Sequence, residues 1–177
     1  ILSTGIDVIN LGLVTTPMYY YACILNNTNA GVMVTASHNP KDDNGFKFAF
    51  DDRGNARGEM IREFYEFLQQ GNFDSGNGME SSYDVREEYI KLLLSSIDLN
   101  PIRKLRVVID CGNGTTSIIA PEIYNLLGMD LAVLYGDSDP SFPNHHPDPC
   151  VEENLKVLKD TVVELKADIG IAFDGDG

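Results

Sequence analysis

Leu105-Arg106-Val107-Val108-Ile109-Asp110, followed at once by Cys111-Gly112-Asn113-Gly114, is the stretch that decides the fold. A short run of aliphatic and β-branched residues, cut off by a Gly-Asn-Gly turn, has the pattern of a strand covered on both faces, as in a parallel sheet. Outward from it the pattern repeats. Residues 115–127 have helical spacing and end at Gly128, and Leu131-Ala132-Val133-Leu134-Tyr135 is a second strand. Residues 152–166 form a helix with Leu155, Leu158, Val162 and Leu165 inward, and 168–173 form a third strand. This β-α-β-α-β order predicts parallel strands sandwiched between helical layers.

The N-terminal half is less regular. Ile6 to Gly12 alternates like a strand, Thr15-Thr16-Pro17 is a loop, and Met18 to Leu25 is a helix. Gly31 to Thr35 reads as a buried strand and Lys47 to Phe50 as another, with a hairpin-type turn at 51–54. From Glu59 to Gln69, Met60, Ile61, Phe64, Phe67 and Leu68 recur at helical spacing and predict a core stripe. The Gly-, Asn- and Ser-rich stretch 71–82 is the expected boundary. A connecting helix over 84–97, with Val85, Tyr89, Leu92, Leu93 and Ser96 on one face, ends at Pro101. The expected fold class is α/β: two consecutive three-layer α/β/α domains with mixed, mainly parallel sheets, over residues 1–82 and 83–177.

Composition excludes several classes. With 13 basic against 27 acidic residues and a net charge of −14, the chain has no Lys/Arg cluster to neutralise a polyphosphate backbone, so a nucleic-acid partner is not expected. A small phosphorylated ligand needs only a few cations and remains compatible. No apolar run approaches a membrane span. Cys23, Cys111 and Cys150 are scattered, odd in number and without metal-type spacing, which fits a reducing, cytoplasmic setting, and Cys23, in an apolar stretch, and Cys111, at a strand end, read as buried small side chains.

Two strand ends carry candidate chemistry. The run 31–34 delivers Thr35-Ala36-Ser37-His38-Asn39-Pro40, and the run 169–173 ends in Asp174-Gly175-Asp176-Gly177. Carboxylates at i and i+2 around a glycine can turn toward one hard cation, although the same letters also form a plain acidic turn. Ser37 by itself reads as a turn-capping hydroxyl, because its neighbour His38 points away and supplies no base. A phosphorylated serine escapes that objection, since a phosphoryl donor needs in-line geometry and a cation more than a strong base. Lys47 is either an outward strand residue or a fixed cation beside a phosphate. Gly112-Asn113-Gly114 lacks the dinucleotide and Walker signatures and reads as a tight β-α turn. His145 and His146, boxed by prolines, have no zinc spacing and read as part of a rigid loop.

Together these segments resemble the α-D-phosphohexomutase family, in its phosphomannomutase/phosphoglucomutase branch. The motif T-A-S-H-N-P followed by D-N-G-F-K is similar to that family's phosphoserine loop. D-G-D-G matches the start of its D-G-D-G-D-R metal loop, and F-P-N-H-H-P-D-P resembles a segment typical of the branch. The resemblance runs along essentially the whole chain. It implies that Ser37 is the phosphorylated donor and a metal ligand through its phosphate, and that Asp174 and Asp176 are Mg²⁺ ligands. It also makes His38 and Lys47 candidates for proton transfer and phosphate contact.

The reaction it implies is reversible conversion of hexose 6-phosphate to hexose 1-phosphate, mannose or glucose, through a bisphosphorylated sugar. The rival readings are a phosphoglucosamine mutase, against which the His-His loop argues, and a non-catalytic cation-binding module. The resemblance leaves oligomeric state open. Ile1 begins inside an apolar alternation and Gly177 interrupts an Asp-Gly repeat, so the chain reads as cut from a longer protein and is expected to be inactive, or nearly so, alone.

Overall fold

The computed structural model describes the 177 residues except Asn29, His38, Pro40, Lys41, 51–53 and 99–102. The hairpin-type turn expected at 51–54 and the helix stop at Pro101 therefore fall largely outside the described residues, as does His38. The described chain runs β1 (Val8–Asn10), α1 (Thr16–Leu25), β2 (Ala30–Val34), β3 (Phe46–Phe50), α2 (Glu59–Gln70), β4 (Glu80–Ser82), α3 (Arg86–Ser95), β5 (Arg106–Asp110), α4 (Ala120–Leu126), β6 (Asp130–Leu134), α5 (Lys156–Leu165) and β7 (Ile169–Ala172). The fold is α/β, with parallel pairings in the majority.

The C-terminal half is the more regular. β5 is the middle strand of a parallel sheet ordered β6-β5-β7. It is flanked by strands on both edges and helices on both faces, so Val107, Val108, Ile109 and Asp110 are all buried. Val107, Ile109 and Cys111 pack against Ala120, Tyr124 and Phe173 on one side. On the other, α5 rests on Gly170, where Val162 and Leu158 occupy the space a side chain would need. The helix expected over 115–127 is divided. Thr115–Ile118 makes a 3-10 turn, and α4 starts only at Ala120 with Pro121 in its first turn. A proline cannot sit further inside a helix without losing a hydrogen bond and striking the carbonyl four residues back. Residues 152–155 likewise form a 3-10 turn ahead of α5.

In the N-terminal half, β2 and β3 form an antiparallel ladder with Gly31 opposite Ala49 and Met33 opposite Lys47. These four share the face turned to α1, because alternate residues of a strand share a face. Met18, Tyr19 and Ala22 of α1 are buried on it. β2 is not the buried strand expected: it alternates between half-buried and exposed, and Val32 and Val34 face outward. On that outer face Phe48 and Phe50 meet Phe64 of α2. The rest of the α2 stripe is not core. No residue of α2 is buried, and Ile61, Phe67 and Leu68 are exposed.

The expected boundary stretch also contains structure that its polar letters conceal. β4 pairs in parallel with β1, joining Val8 to Glu80 and Asn10 to Ser82. The approach is close enough that a β-carbon on Gly78 would lie 2.1 Å from the Ile6 carbonyl oxygen. Finally, α3 joins the two halves. Val85 and Ile90 enter a core with Val14, Met18, Tyr19 and Ala22, and Ile119, just before α4, completes it. The buried position on α3 is Ile90, whereas Leu92, on the face expected inward, is exposed.

Candidate active site

The site lies where the β2–β3 connection meets the end of β7. Thr35 donates its N–H to the Gly45 carbonyl, which extends the ladder by one pair and closes the base of the loop. A side chain on Gly45 would press on Thr35 at 3.0 Å, so glycine permits that closure. Inside the loop, Ser37 takes φ +57°, a left-handed conformation uncommon for a residue with a β-carbon. The Thr35 hydroxyl oxygen holds it there by accepting the Ser37 N–H at 2.9 Å. Asn39 N–H donates to the Ala36 carbonyl and completes the turn.

The acidic loop is shaped by its first carboxylate. Asp174 Oδ1 accepts the backbone N–H groups of Asp176 and Gly177, both at 3.1 Å. The curl presents Asp176 to the other half of the molecule. Its Oδ2 accepts the Ser37 hydroxyl at 2.6 Å and Lys47 Nζ at 2.6 Å. Its Oδ1 accepts the Thr16 hydroxyl at 3.2 Å, and its carbonyl accepts the Thr16 N–H at 3.0 Å. Lys47 reaches this point because β3 alternation places it on the α1 face, where Nζ is also 3.5 Å from Thr16 Oγ1. The Lys47 and Asp176 side chains are each 22% exposed.

Burial alone pushes the Asp176 carboxyl upward. The hydrogen bonds from Lys47 and Ser37, the Lys47 charge and the Thr16 hydroxyl outweigh it, and the group sits below the ordinary carboxylate range. Tyr20, one helical turn after Thr16, has a buried hydroxyl with no hydrogen-bond partner among the described residues. Its phenol is pushed up by burial and by the charge of Asp176.

The structure thus brings together Ser37, Lys47 and Asp176 from segments far apart in the chain, with Asp174 joined to them through the backbone N–H of Asp176. It adds Thr16, which the sequence reading placed in a loop. One signal could have found it: Thr-Pro has the letters of a helix start, where the first backbone N–H groups are left free to donate outside the helix. Gly112-Asn113-Gly114 is the tight turn expected. It supports the acidic loop from behind, with Thr115 Oγ1 donating to the Gly175 carbonyl at 3.2 Å. Of the cysteines, Cys111 is buried, Cys23 half-buried and Cys150 exposed. Among the described residues no three His, Cys, Asp or Glu side chains gather in a way that would hold a metal by themselves, and no helix is long and apolar enough to cross a membrane.

The class defined by this fold and site is an α/β protein with two consecutive α/β units, in which a serine and a lysine of the first unit meet a carboxylate loop of the second. Residues 1–75 match the family profile "Phosphoglucomutase/phosphomannomutase, alpha/beta/alpha domain I", and residues 87–177 match its domain II. The chain belongs to the phosphoglucomutase/phosphomannomutase family.

A phosphomannomutase/phosphoglucomutase of Pseudomonas syringae pv. tomato is 43% identical over 176 residues, covering 98% of this chain and 37% of the relative. A phosphoglucomutase of Neisseria meningitidis serogroup B is 39% identical over 175 residues, with the same two coverages. Among solved structures, a phosphoglucomutase/phosphomannomutase family protein of Burkholderia thailandensis superposes with a TM-score of 0.90 at 36% identity, over 99% of this chain and 40% of that one. The chain thus spans well under half the length of the relatives it matches.

Proposed function

We propose that this chain carries the phosphoryl-donor serine and part of the cation site of an enzyme that interconverts hexose 6-phosphate and hexose 1-phosphate, with mannose or glucose as the sugar. The observation that carries the reading is the convergence of Ser37 Oγ and Lys47 Nζ on one oxygen of Asp176. The names of the similar proteins support the substrate class. We place the division between the units at 1–82 and 83–177, a reading supported by the separate family matches to 1–75 and 87–177.

In this reading Ser37 carries a phosphoryl group. The P–Oγ bond breaks as a bond forms to the free hydroxyl of the bound sugar phosphate, giving a bisphosphorylated sugar. That hydroxyl's proton leaves through a neighbouring acceptor, and Oγ departs as an anion that is reprotonated. The sugar then reorients and returns its other phosphoryl to Ser37. Lys47 offsets charge on the moving group, and His38, adjacent in sequence, is the proposed partner in proton transfer. Positioning of reactants, not activation of the serine, lowers most of the barrier.

A divalent cation fits the residues present. A phosphoryl group on Ser37 faces Asp176, and two unit charges 4 Å apart repel by about 4 kcal/mol at a partly shielded site. The phosphoryl group carries up to two charges, and one lysine charge, that of Lys47, does not balance them together with Asp176. Ser37, Asp174 and Asp176 offer hard oxygens, the donor set of Mg²⁺, and these three residues are the proposed ligands. When bound, the ion supplies charge neutralisation at the transferring phosphoryl.

Intact-mass analysis of the full-length protein purified from its cells, with peptide mapping, tests the proposal. A single phosphoryl group on Ser37, and loss of hexose-phosphate mutase turnover in Ser37→Ala, are the expected results. A protein that never carries phosphate and retains turnover in Ser37→Ala overturns it. The 177-residue chain alone is expected to give no turnover.

A further inference from the structure

Asp110 closes β5 with a carboxylate that is 1% exposed. A buried carboxylate is costly unless hydrogen bonds and an opposite charge compensate it. One backbone donor is present, the Gly112 N–H at 2.9 Å. The other partner is His145, from the proline-boxed loop, whose Nε2 lies 3.2 and 3.1 Å from the two carboxylate oxygens. The other ring nitrogen, Nδ1, lies 2.8 Å from the His146 carbonyl oxygen. A carbonyl and a carboxylate both only accept, whereas neutral imidazole has a single N–H to donate. Both contacts are satisfied together when the ring carries two N–H groups, as an imidazolium.

This pair stands behind the acidic loop. A β-carbon on Gly112 would meet Pro147 at 3.0 Å and His145 Cε1 at 3.5 Å, so the histidine loop presses directly on the turn. Asn144 donates to Asn113 Oδ1 at 2.7 Å and fixes the turn's middle residue. A β-carbon on Gly114 would in turn meet the Asp174 carbonyl oxygen and Gly175 Cα at 3.6 and 3.7 Å, so that end of the turn faces the acidic loop. The Asp110 carbonyl accepts the N–H of Phe173, the residue before Asp174.

We propose that His145, acting as an imidazolium paired with Asp110, is a positioning residue: it fixes the Gly112-Asn113-Gly114 turn and through it the register of the Asp174–Gly177 loop opposite Ser37. Among the described residues, the other titratable groups around the pair are Cys111, directly after β5, Tyr135 at the end of β6, and His146 and Asp148 in the histidine loop itself. The Tyr135 ring lies edge-on to His145 with centroids 5.2 Å apart. Burial first, and then the Asp110 charge, push the Cys111 and Tyr135 groups up.

The test is ring-nitrogen and backbone-amide NMR of the ¹⁵N-labelled chain, without sugar or metal. Its outcome is therefore separable from whether Ser37 carries phosphate. At pH 7 the His145 ring is expected to show two protonated nitrogens. On raising the pH, the amides of Gly112, Gly114 and Gly175 are expected to shift with the same midpoint as that ring. In His145→Gln this component disappears, while those due to His38 and His146 stay. A neutral His145 ring at pH 7, amides that stay flat through its titration, or an unchanged profile in His145→Gln each overturns the proposal. If the variant does not fold, the wild-type titration alone decides.

Discussion

The hydroxyl of Ser37 and the carboxylate of Asp176, 139 residues apart in sequence, are 2.6 Å apart in the folded chain. The contact forms across the junction of two α/β units, so the site is a property of their docking. Lys47 and Thr16 converge on the same carboxylate, so three first-unit side chains share Asp176 as a partner.

Lys47→Met keeps the aliphatic stem but removes the charge facing Asp176. The pair is neither open nor fully enclosed, so the expected loss of stability is about 1–2 kcal/mol, between the exposed and buried limits. Urea unfolding at neutral pH measures it.

Acid should weaken the same contact. The folded Asp176 carboxyl lies below its ordinary value of 3.8. Its contribution to stability is therefore complete above that value and is lost as pH falls through the lower folded one. Unfolding midpoints of wild type and Asp176→Asn should differ at pH 6 and converge below pH ~3.8 as the wild-type carboxyl protonates. A gap that stays constant down to the lowest pH at which the chain folds would contradict this.

Thr16→Val preserves shape and the backbone bond to the Asp176 carbonyl but deletes the hydroxyl that donates to Oδ1. The expected cost is about 1 kcal/mol. A double-mutant cycle with Asp176→Ala should show coupling, because both changes remove the same bond.

Gly78→Ala drives a methyl group into the Ile6 carbonyl, a backbone atom that cannot swing aside. The β1–β4 pairing must separate, and a loss of about 2–3 kcal/mol is expected. Gly12→Ala is the contrasting control: its φ of +66° imposes backbone strain on a side chain, but nothing lies within 4 Å of the added carbon.

The three thiols should separate kinetically. Burial, followed by the neighbouring Asp110 charge, pushes the Cys111 thiol up to about 12, and only the thiolate reacts. A thiol reagent should modify exposed Cys150 quickly and reach Cys111 only on unfolding. Rapid native-state labelling of Cys111 would show that its end of β5 opens.

The C-terminal sheet was legible because its signal is local. A strand buried on both faces must be apolar throughout, and Val107 to Ile109 is such a run; the edge strand Ile169 to Ala172 has the same apolar letters although Ile169 is exposed. The N-terminal half was less legible for the converse reason. β4 is Glu-Ser-Ser, held by backbone pairing to β1 with no side-chain pattern to reveal it. The α2 stripe has the period of a core helix, yet periodicity states which face is apolar and not what covers it. Pro121 was visible, but its consequence, a helix split into a 3-10 turn and α4, was not drawn from the 115–127 pattern.

By itself the sequence determined the α/β class, the order of most elements and the identities of Ser37, Lys47, Asp174 and Asp176 as candidates, because each lies in a short motif that resembles a loop of one family, whereas its immediate neighbours alone left Ser37 a turn-capping hydroxyl. Tertiary structure alone decided that Asp176 receives both Ser37 and Lys47, that Thr16 belongs to the same cluster and that His145 stands behind the acidic loop on Asp110. Those relations depend on strand pairing and on the docking of two units through α1, α3 and the start of α4. Contacts of that kind are set by the packing of distant segments, and no local pattern of residues encodes them.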